Sequence, residues 1–232
     1  MPELRVYDAA LSTHQRQLTN RVQSPVPPAT LHIHYSLEVA GMAALGVTIP
    51  RKGRAPEDPN LTALWRAIPD RDAGFLIVIA PRALASEAAL LTTLGHELEH
   101  VRQEIACPGI LKLSETCIAF IRDTPALHAE FPTCLHAPVN AHAEIAGALL
   151  AVGLLQPPPV RQYYESEKPE AISIVQGSLQ GAATDSGNAR ADLALFFQSR
   201  MTSLEGWFRD CMRPRLSSLA DVRAFLNRPC SS

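Results

Sequence analysis

The chain has 232 residues, of which 47% are hydrophobic and 19% charged, and its formal net charge at pH 7 is -2. That is the composition of a folded globular protein long enough for one sizeable core, and it excludes a disordered or fibrous chain. The near-neutral balance, with no basic run interleaved with aromatics, leaves no electrostatic footprint for nucleic acid or an anionic membrane, so neither is expected as a partner.

The chain opens Met1-Pro2-Glu3-Leu4-Arg5, with charge and no apolar h-region, and it contains no run of about 18 apolar residues. The expectation is a protein without signal peptide or transmembrane helix, residing in the cytoplasm. Composition does not separate this from export as an effector or toxin by a route needing no cleaved signal. The 5 cysteines (Cys107, Cys117, Cys134, Cys211 and Cys230) are odd in number, widely spaced and free of Cys-x-x-Cys. They read as free thiols of a reducing compartment, not as a disulfide framework or a structural zinc knuckle.

In chain order, residues 4–23 are polar with scattered leucines and predict a short helix, stopped by the stiff connector Ser24-Pro25-Val26-Pro27-Pro28. Residues 31–39 alternate apolar and polar, the period of a strand with one buried face. His32, His34, Ser36 and Glu38 share its other face, which reads as solvated, with a place beside a cleft as the alternative. A charged, proline-rich loop over 51–59 precedes a short helix over 61–68, ended by Pro69, and a turn over 70–74. Phe75-Leu76-Ile77-Val78-Ile79-Ala80 is a continuous apolar run suited to a buried strand.

Next comes a proline-free segment over 86–104, with Ser86 and Glu87 suited to a helix start. It carries Leu94-Gly95-His96-Glu97-Leu98-Glu99-His100-Val101-Arg102-Gln103, and within it His-Glu-x-x-His. Residues four apart on a helix stand one above the other, so His96 and His100 can offer two imidazoles to one metal ion. Glu97 stands beside them, where it can take a proton from water. These are the parts of zinc hydrolysis: nitrogen ligands, an open coordination position and a base. Leu90, Leu91, Leu94, Leu98 and Val101 lie on the other side of the helix and can pack into a core. Cys107-Pro108-Gly109 ends it.

A second helix is expected over 111–123, then an irregular proline-punctuated stretch over 125–138 and an alanine-rich buried helix over 140–155, stopped by Gln156-Pro157-Pro158-Pro159. Residues 163–169 read as polar, 171–180 as a weak segment of either type, 181–187 as a small-residue loop, and 190–227 as helical with a break at Pro214. The organisation expected is an N-terminal extension over 1–30, a core over 31–155 and a C-terminal helical subdomain over 156–232 packed on it.

Over about residues 75–155, and chiefly through His96-Glu97-Leu98-Glu99-His100, the sequence resembles the zincin metallopeptidases of the gluzincin type. The metzincin extension of the motif is absent, since Gln103 and Ala106 occupy its further positions. The resemblance implies an α+β, zincin-like fold, mostly helical, with a small β-sheet beside the motif helix. It also implies a third zinc ligand from a glutamate on a downstream helix, often within Glu-x-x-x-Asp. One register of that pattern puts Asn140, a poor zinc ligand, at the ligand position. Glu144 is the most economical choice, because a carboxylate in an apolar helix is costly to bury unless paired or metal-bound. His142 is its direct competitor, with Glu130, His128 and His136 behind.

The expected function is therefore that of a zinc metallopeptidase. His96, His100 and Glu144 hold Zn2+, Glu97 is the general base, and a peptide or protein is the substrate. The alternatives are a non-enzymatic helical interaction domain with a structural metal or none, and a metal-dependent amidase or deaminase acting on a small molecule. Around the motif, Glu104 is a candidate hydrogen-bond partner for His100, and Glu99 is expected to be solvated or paired with Arg102. Arg161, Tyr163 and Tyr164 are candidate oxyanion donors, or packed residues at a loop edge.

Overall fold

The computed structural model describes residues 5–7, 11–27, 30–35, 44–52, 55–68, 74–106, 108–111 and 138–180. The apolar run 75–79 becomes a strand whose five residues are all buried, and the rest of the sheet forms around it. Four strands take part: β1 (Arg5–Tyr7), β2 (Leu31–Tyr35), β3 (Gly46–Pro50) and β4 (Phe75–Ile79), in the order β1-β2-β4-β3. β4 pairs in parallel with β2, Ile33 opposite Ile77, and antiparallel with β3, Thr48 opposite Ile77. β1 extends the sheet in parallel beyond β2. A strand buried on both faces has no polar alternation to show, which is why β4 reads as an unbroken hydrophobic run.

Side chains alternate between the two faces of a sheet, so the register assigns each residue to one of them. Leu76 and Val78, with Val47 and Ile49 across from them, face helix α2 (Pro59–Ala67), and this side closes over Leu61, Trp65 and Ile68. Asp58 caps α2, its carboxylate accepting from the backbone N–H groups of Asn60 and Leu61, and Pro59 fits the first turn because no N–H is needed there. Trp65 Nε1 donates to the carbonyl of Pro50 at 2.8 Å, and the Arg51 guanidinium lies 3.7 Å over the Trp65 ring. Gly46 and Thr48, of opposite parity, face helix α3 (Glu87–Ala106), which carries the motif. Ser86 begins α3 as expected, its hydroxyl accepting from the N–H of Ala89.

The architecture is α+β, with several helices and one small sheet, as the sequence implies. Two details differ from expectation, and a third, left open by the sequence, is decided. Residues 4–23 do not form one helix: Arg5–Tyr7 is a strand, and helix α1 spans only Thr13–Thr19, closed by a capping box between Ser12 and Gln15. Three residues are too few to display an alternation, so β1 leaves no pattern in the sequence. β1 nonetheless takes a place in the sheet, at its end beside β2. The proline run after helix α4 (Pro138–Leu155) stops that helix and at once starts α5 (Pro157–Glu167). Gln156, at φ 74, makes the break, and the prolines sit in the first turn of α5, where they are tolerated. Residues 171–180, of undecided type from sequence, contain helix α6 (Ile172–Leu179). No helix among the described residues is long and apolar enough to cross a membrane.

Contacts divide the chain into two units, residues 1–102 with 143–184, and residues 103–142 with 185–232. The first contains the sheet, α1, α2, α5 and α6, and most of α3 and α4. In the second, the Glu104 carboxylate accepts from the N–H groups of Gly109 and Leu111 and so closes the turn after α3. Gln103 Nε2 donates to the carbonyl of Val139 and lies 3.2 Å from His142 Nδ1. The helices expected over 111–123 and 190–227, the stretch 125–138 up to its last residue, the loop 181–187, all five cysteines, and His128, Glu130 and His136 lie outside the described residues, save for Leu111.

Candidate functional site

Leu90, Leu91, Leu94, Leu98 and Val101 are all buried, as their helical spacing predicts, and they fix the rotation of α3. That rotation places His96 and His100 together on one flank, with ring centroids 4.7 Å apart and planes nearly perpendicular.

A second helix then comes very close. A Cβ added to Gly95 would stand 2.9 Å from the Cα of Gly147, and a Cβ on Gly147 would overlap the carbonyl oxygen of Thr92 and lie 3.1 Å from the backbone nitrogen of His96. The backbones of α3 and α4 therefore touch at Gly95 and Gly147. The contact is one residue from His96 and one helical turn from Glu144. Glu144 is almost fully buried, and its Oε2 lies 2.9 Å from His96 Nδ1. An ionised carboxylate only accepts, so Nδ1 carries the hydrogen in this pair.

Two further donors reach Glu144 from α5 and its end. The Tyr164 hydroxyl donates to Oε1 at 2.8 Å, and Lys168 Nζ donates to Oε1 at 3.0 Å and Oε2 at 3.2 Å. Burial works to push the Glu144 carboxyl up, but the hydrogen bond and charge of His96, then Lys168, outweigh it and hold the group at about 2. Burial alone would lower the Lys168 ammonium, yet Glu144 and Tyr163 beside it keep it above its usual value. Burial, then the Glu144 charge, pushes Tyr164 well above the usual phenol range. Tyr164 is thus a donor to Glu144, Tyr163 packs edge-on against it, and Arg161 is exposed.

Glu97 meets a different environment. It is buried beneath β3, where the Thr48 hydroxyl lies 2.7 Å from its Oε2 and 3.0 Å from its own backbone carbonyl. A Cβ at Gly46 would stand 2.7 Å from Glu97 Oε1 and 2.9 Å from Thr93 Cγ2, so only glycine leaves room for this side chain. Burial pushes the Glu97 carboxyl up, opposed by His96, Thr48 and Lys168 and reinforced by Glu144. A carboxyl shifted upward is suited to accept and return protons nearer neutrality.

The four principal residues expected from sequence, His96, Glu97, His100 and Glu144, thus come together in one unit. His142, the competitor of Glu144, lies beside Gln103, whose Nε2 is 3.2 Å from its Nδ1. Glu99 pairs with Arg102 at 3.5 Å as expected, but it is buried and not solvated. His32 and His34 share register with Leu76 and Val78, on the sheet face turned away from α3, and His32 is buried. Of the face expected to be solvated, His32 is therefore covered and His34 half-buried, neither bordering the site, while Ser36 and Glu38 lie outside the described residues. Sequence reasoning missed Lys168, Thr48, Gly46 and the Gly95–Gly147 contact. The glycines carry a usable signal, because a glycine inside a helix costs about 1 kcal/mol relative to alanine and calls for a packing reason.

Imidazole and carboxylate are the donors zinc takes, and the buried Glu144 is a carboxylate that already holds a cation, the Lys168 ammonium. The donor set therefore suits a divalent ion. Among the described residues, however, no three His, Cys, Asp or Glu side chains stand in a ready-made metal geometry. The contacts from His96, Tyr164 and Lys168 take up the four lone-pair directions of Glu144. Comparison of the chain with protein-family models, with curated proteins and with solved structures finds no match.

Proposed function

We propose that the protein is a zinc-dependent hydrolase of zincin-like fold that cleaves peptide bonds. The observation that carries this reading is that His96 stands between His100, its ring 4.7 Å away on the same helix, and the buried Glu144, 2.9 Å away across the Gly95–Gly147 contact, with Glu97 buried next to it in sequence. His96, His100 and Glu144 would hold the ion. Zinc there would supply a Lewis acid that polarises a carbonyl and brings the pKa of water down to about 7. Glu97 takes the proton and returns it to the leaving amine, a role its upward-shifted carboxyl favours. Thr48 holds Glu97 in place through its hydroxyl. A peptide is preferred over a small amide because, among the described residues, β3 ends the sheet order, and its Thr48 contacts Glu97. An extended chain can add to such an edge as a further strand, presenting its carbonyls in sequence.

The test is zinc content by elemental mass spectrometry together with hydrolysis of a denatured protein, for wild type and Glu97→Gln. The expected result is about one zinc per chain in both proteins, with hydrolysis in wild type only, lost to a chelator and restored by zinc. Full activity in Glu97→Gln would remove that residue from the mechanism. The Glu144–Lys168 ion pair favours a second reading, in which the cluster is a structural network in a non-enzymatic interaction protein. Absence of zinc from the wild type, with none taken up on addition, would leave that reading standing.

A further inference from the structure

Glu144 faces three donors of unequal mobility. Tyr164 is completely buried, and His96 is fixed by the helix contact at Gly95. Lys168 sits at the C-terminal cap of α5, its backbone N–H bonded to the carbonyl of Tyr164, and 18% of its side chain is exposed. The His96 side chain is almost as exposed, at 14%, but Lys168 is the one donor of the three on a flexible four-carbon stem. At the end of a helix its charge is also welcome beside the last carbonyls.

We propose that Lys168 is a displaceable counter-cation that competes with the metal ion for Glu144. This rests on the zinc-site reading above and adds to it a residue that sets metal affinity. A buried carboxylate is costly unless a cation neutralises it, and Lys168 does so through contacts of 3.0 and 3.2 Å. A divalent ion and an ammonium on the same two oxygens repel each other. With the lone pairs of Glu144 already engaged, an ion gains access to that carboxylate only as Lys168 withdraws. The apparent affinity is then the intrinsic affinity reduced by the fraction of molecules in which Lys168 has left. The opposite role is that Lys168 supports Glu144 as a fixed hydrogen-bond partner of His96. That role predicts the reverse sign, because removing such support weakens metal binding.

The experiment measures zinc affinity by competition with a chromophoric chelator, and thermal unfolding with and without zinc, for wild type, Lys168→Gln and Lys168→Met. Gln keeps a hydrogen-bond donor without charge, so it serves where Met fails to fold. If Lys168 occupies Glu144 in more than nine molecules in ten, zinc binding tightens about tenfold or more in the variants. Their metal-free forms melt earlier than wild type, and zinc raises their melting temperature by more. Zinc bound by the variants and not by wild type would support the competition in its strongest form. Equal or weaker binding in the variants, with wild type binding zinc, would overturn it and leave the zinc site intact. No binding by any of the three proteins would overturn the zinc-site reading, and this inference with it.

Discussion

Replacing Gly147 by alanine adds one methyl group at the point where α3 and α4 touch. That methyl would overlap the Thr92 carbonyl oxygen, with the Thr92 carbonyl carbon at 3.3 Å and the His96 nitrogen at 3.1 Å. All three are backbone atoms inside a helix and cannot swing aside. The helices must separate by on the order of 1 Å to restore ordinary contact, at a cost of about 1–3 kcal/mol typical of overpacking. Alanine's better helix propensity returns about 1 kcal/mol, so a net loss of up to about 2 kcal/mol is expected. The same displacement would stretch the 2.9 Å contact between His96 and Glu144 beyond hydrogen-bonding range. Zinc affinity should then fall by about 10–100-fold, the usual consequence of disturbing the support of a metal ligand. Gly153→Ala is the control, since it lies in the same helix and a Cβ there meets nothing within 4 Å. It should stabilise the protein by up to about 1 kcal/mol and leave zinc affinity unchanged. Urea unfolding of both variants, with zinc titrations alongside, reads the difference. If Gly147→Ala proves as stable as Gly153→Ala and binds zinc equally well, α3 and α4 do not meet at these glycines, and the account of how Glu144 reaches His96 collapses.

Three other outcomes can be measured. Thr48→Val keeps the shape of the side chain but removes the hydroxyl that contacts Glu97, leaving a buried carboxyl without that donor. Urea unfolding should show a loss of about 1–3 kcal/mol, and no loss would mean the contact contributes nothing. Asp58→Ala removes the cap of α2 and should cost about 0.5–2 kcal/mol in the same assay, with zinc content untouched because α2 packs on the sheet face away from α3. Burial, and then the charge of His32, holds His34 below its ordinary value of 6.5. Folding thus favours its neutral form, and the stability this contributes is present above about pH 6.5 and declines as pH falls below it. The stability of His34→Asn relative to wild type should therefore rise as pH is lowered from 7 to 5, and a pH-independent difference would contradict the burial argument.

The parts of the fold visible in the sequence are those with long, regular patterns. The unbroken apolar run of β4, the alternation of β2, and the leucine stripe of α3 each predicted a buried surface that the structure contains. β1 and β3 were not visible, since one is too short for a period and the other, Gly46-Val47-Thr48-Ile49-Pro50, mixes two breakers with three strand formers. The His-Glu-x-x-His spacing located His96, Glu97 and His100 because a helix converts sequence spacing directly into proximity. Glu144 was found differently, as a charge stranded in an apolar helix. Lys168 and Thr48 had no such marker: a lysine in a polar stretch and a threonine in a short strand look ordinary until the chain folds over them. What they share is long-range pairing, at sequence separations of 24 and 49, which no local pattern encodes.

The two buried carboxylates bear unequally on the rival readings. An ion-pair network in a structural protein accounts for Glu144, which is satisfied by His96, Tyr164 and Lys168 and held at about 2. It does not account for Glu97. That residue is buried where burial drives its carboxyl upward, with one hydroxyl for a side-chain partner among its described hydrogen bonds, in a space that exists only because position 46 has no side chain. Burying a carboxyl on these terms destabilises the protein, and leucine or methionine in its place would pack with no such cost. Glu97 and Glu144 are carboxyls driven in opposite directions on two helices that meet at His96, and surroundings that push titratable groups apart suit them to different roles. The hydrolase reading uses both for what their surroundings make of them: Glu144 as the permanent anion that holds a cation, and Glu97 as the group that exchanges a proton.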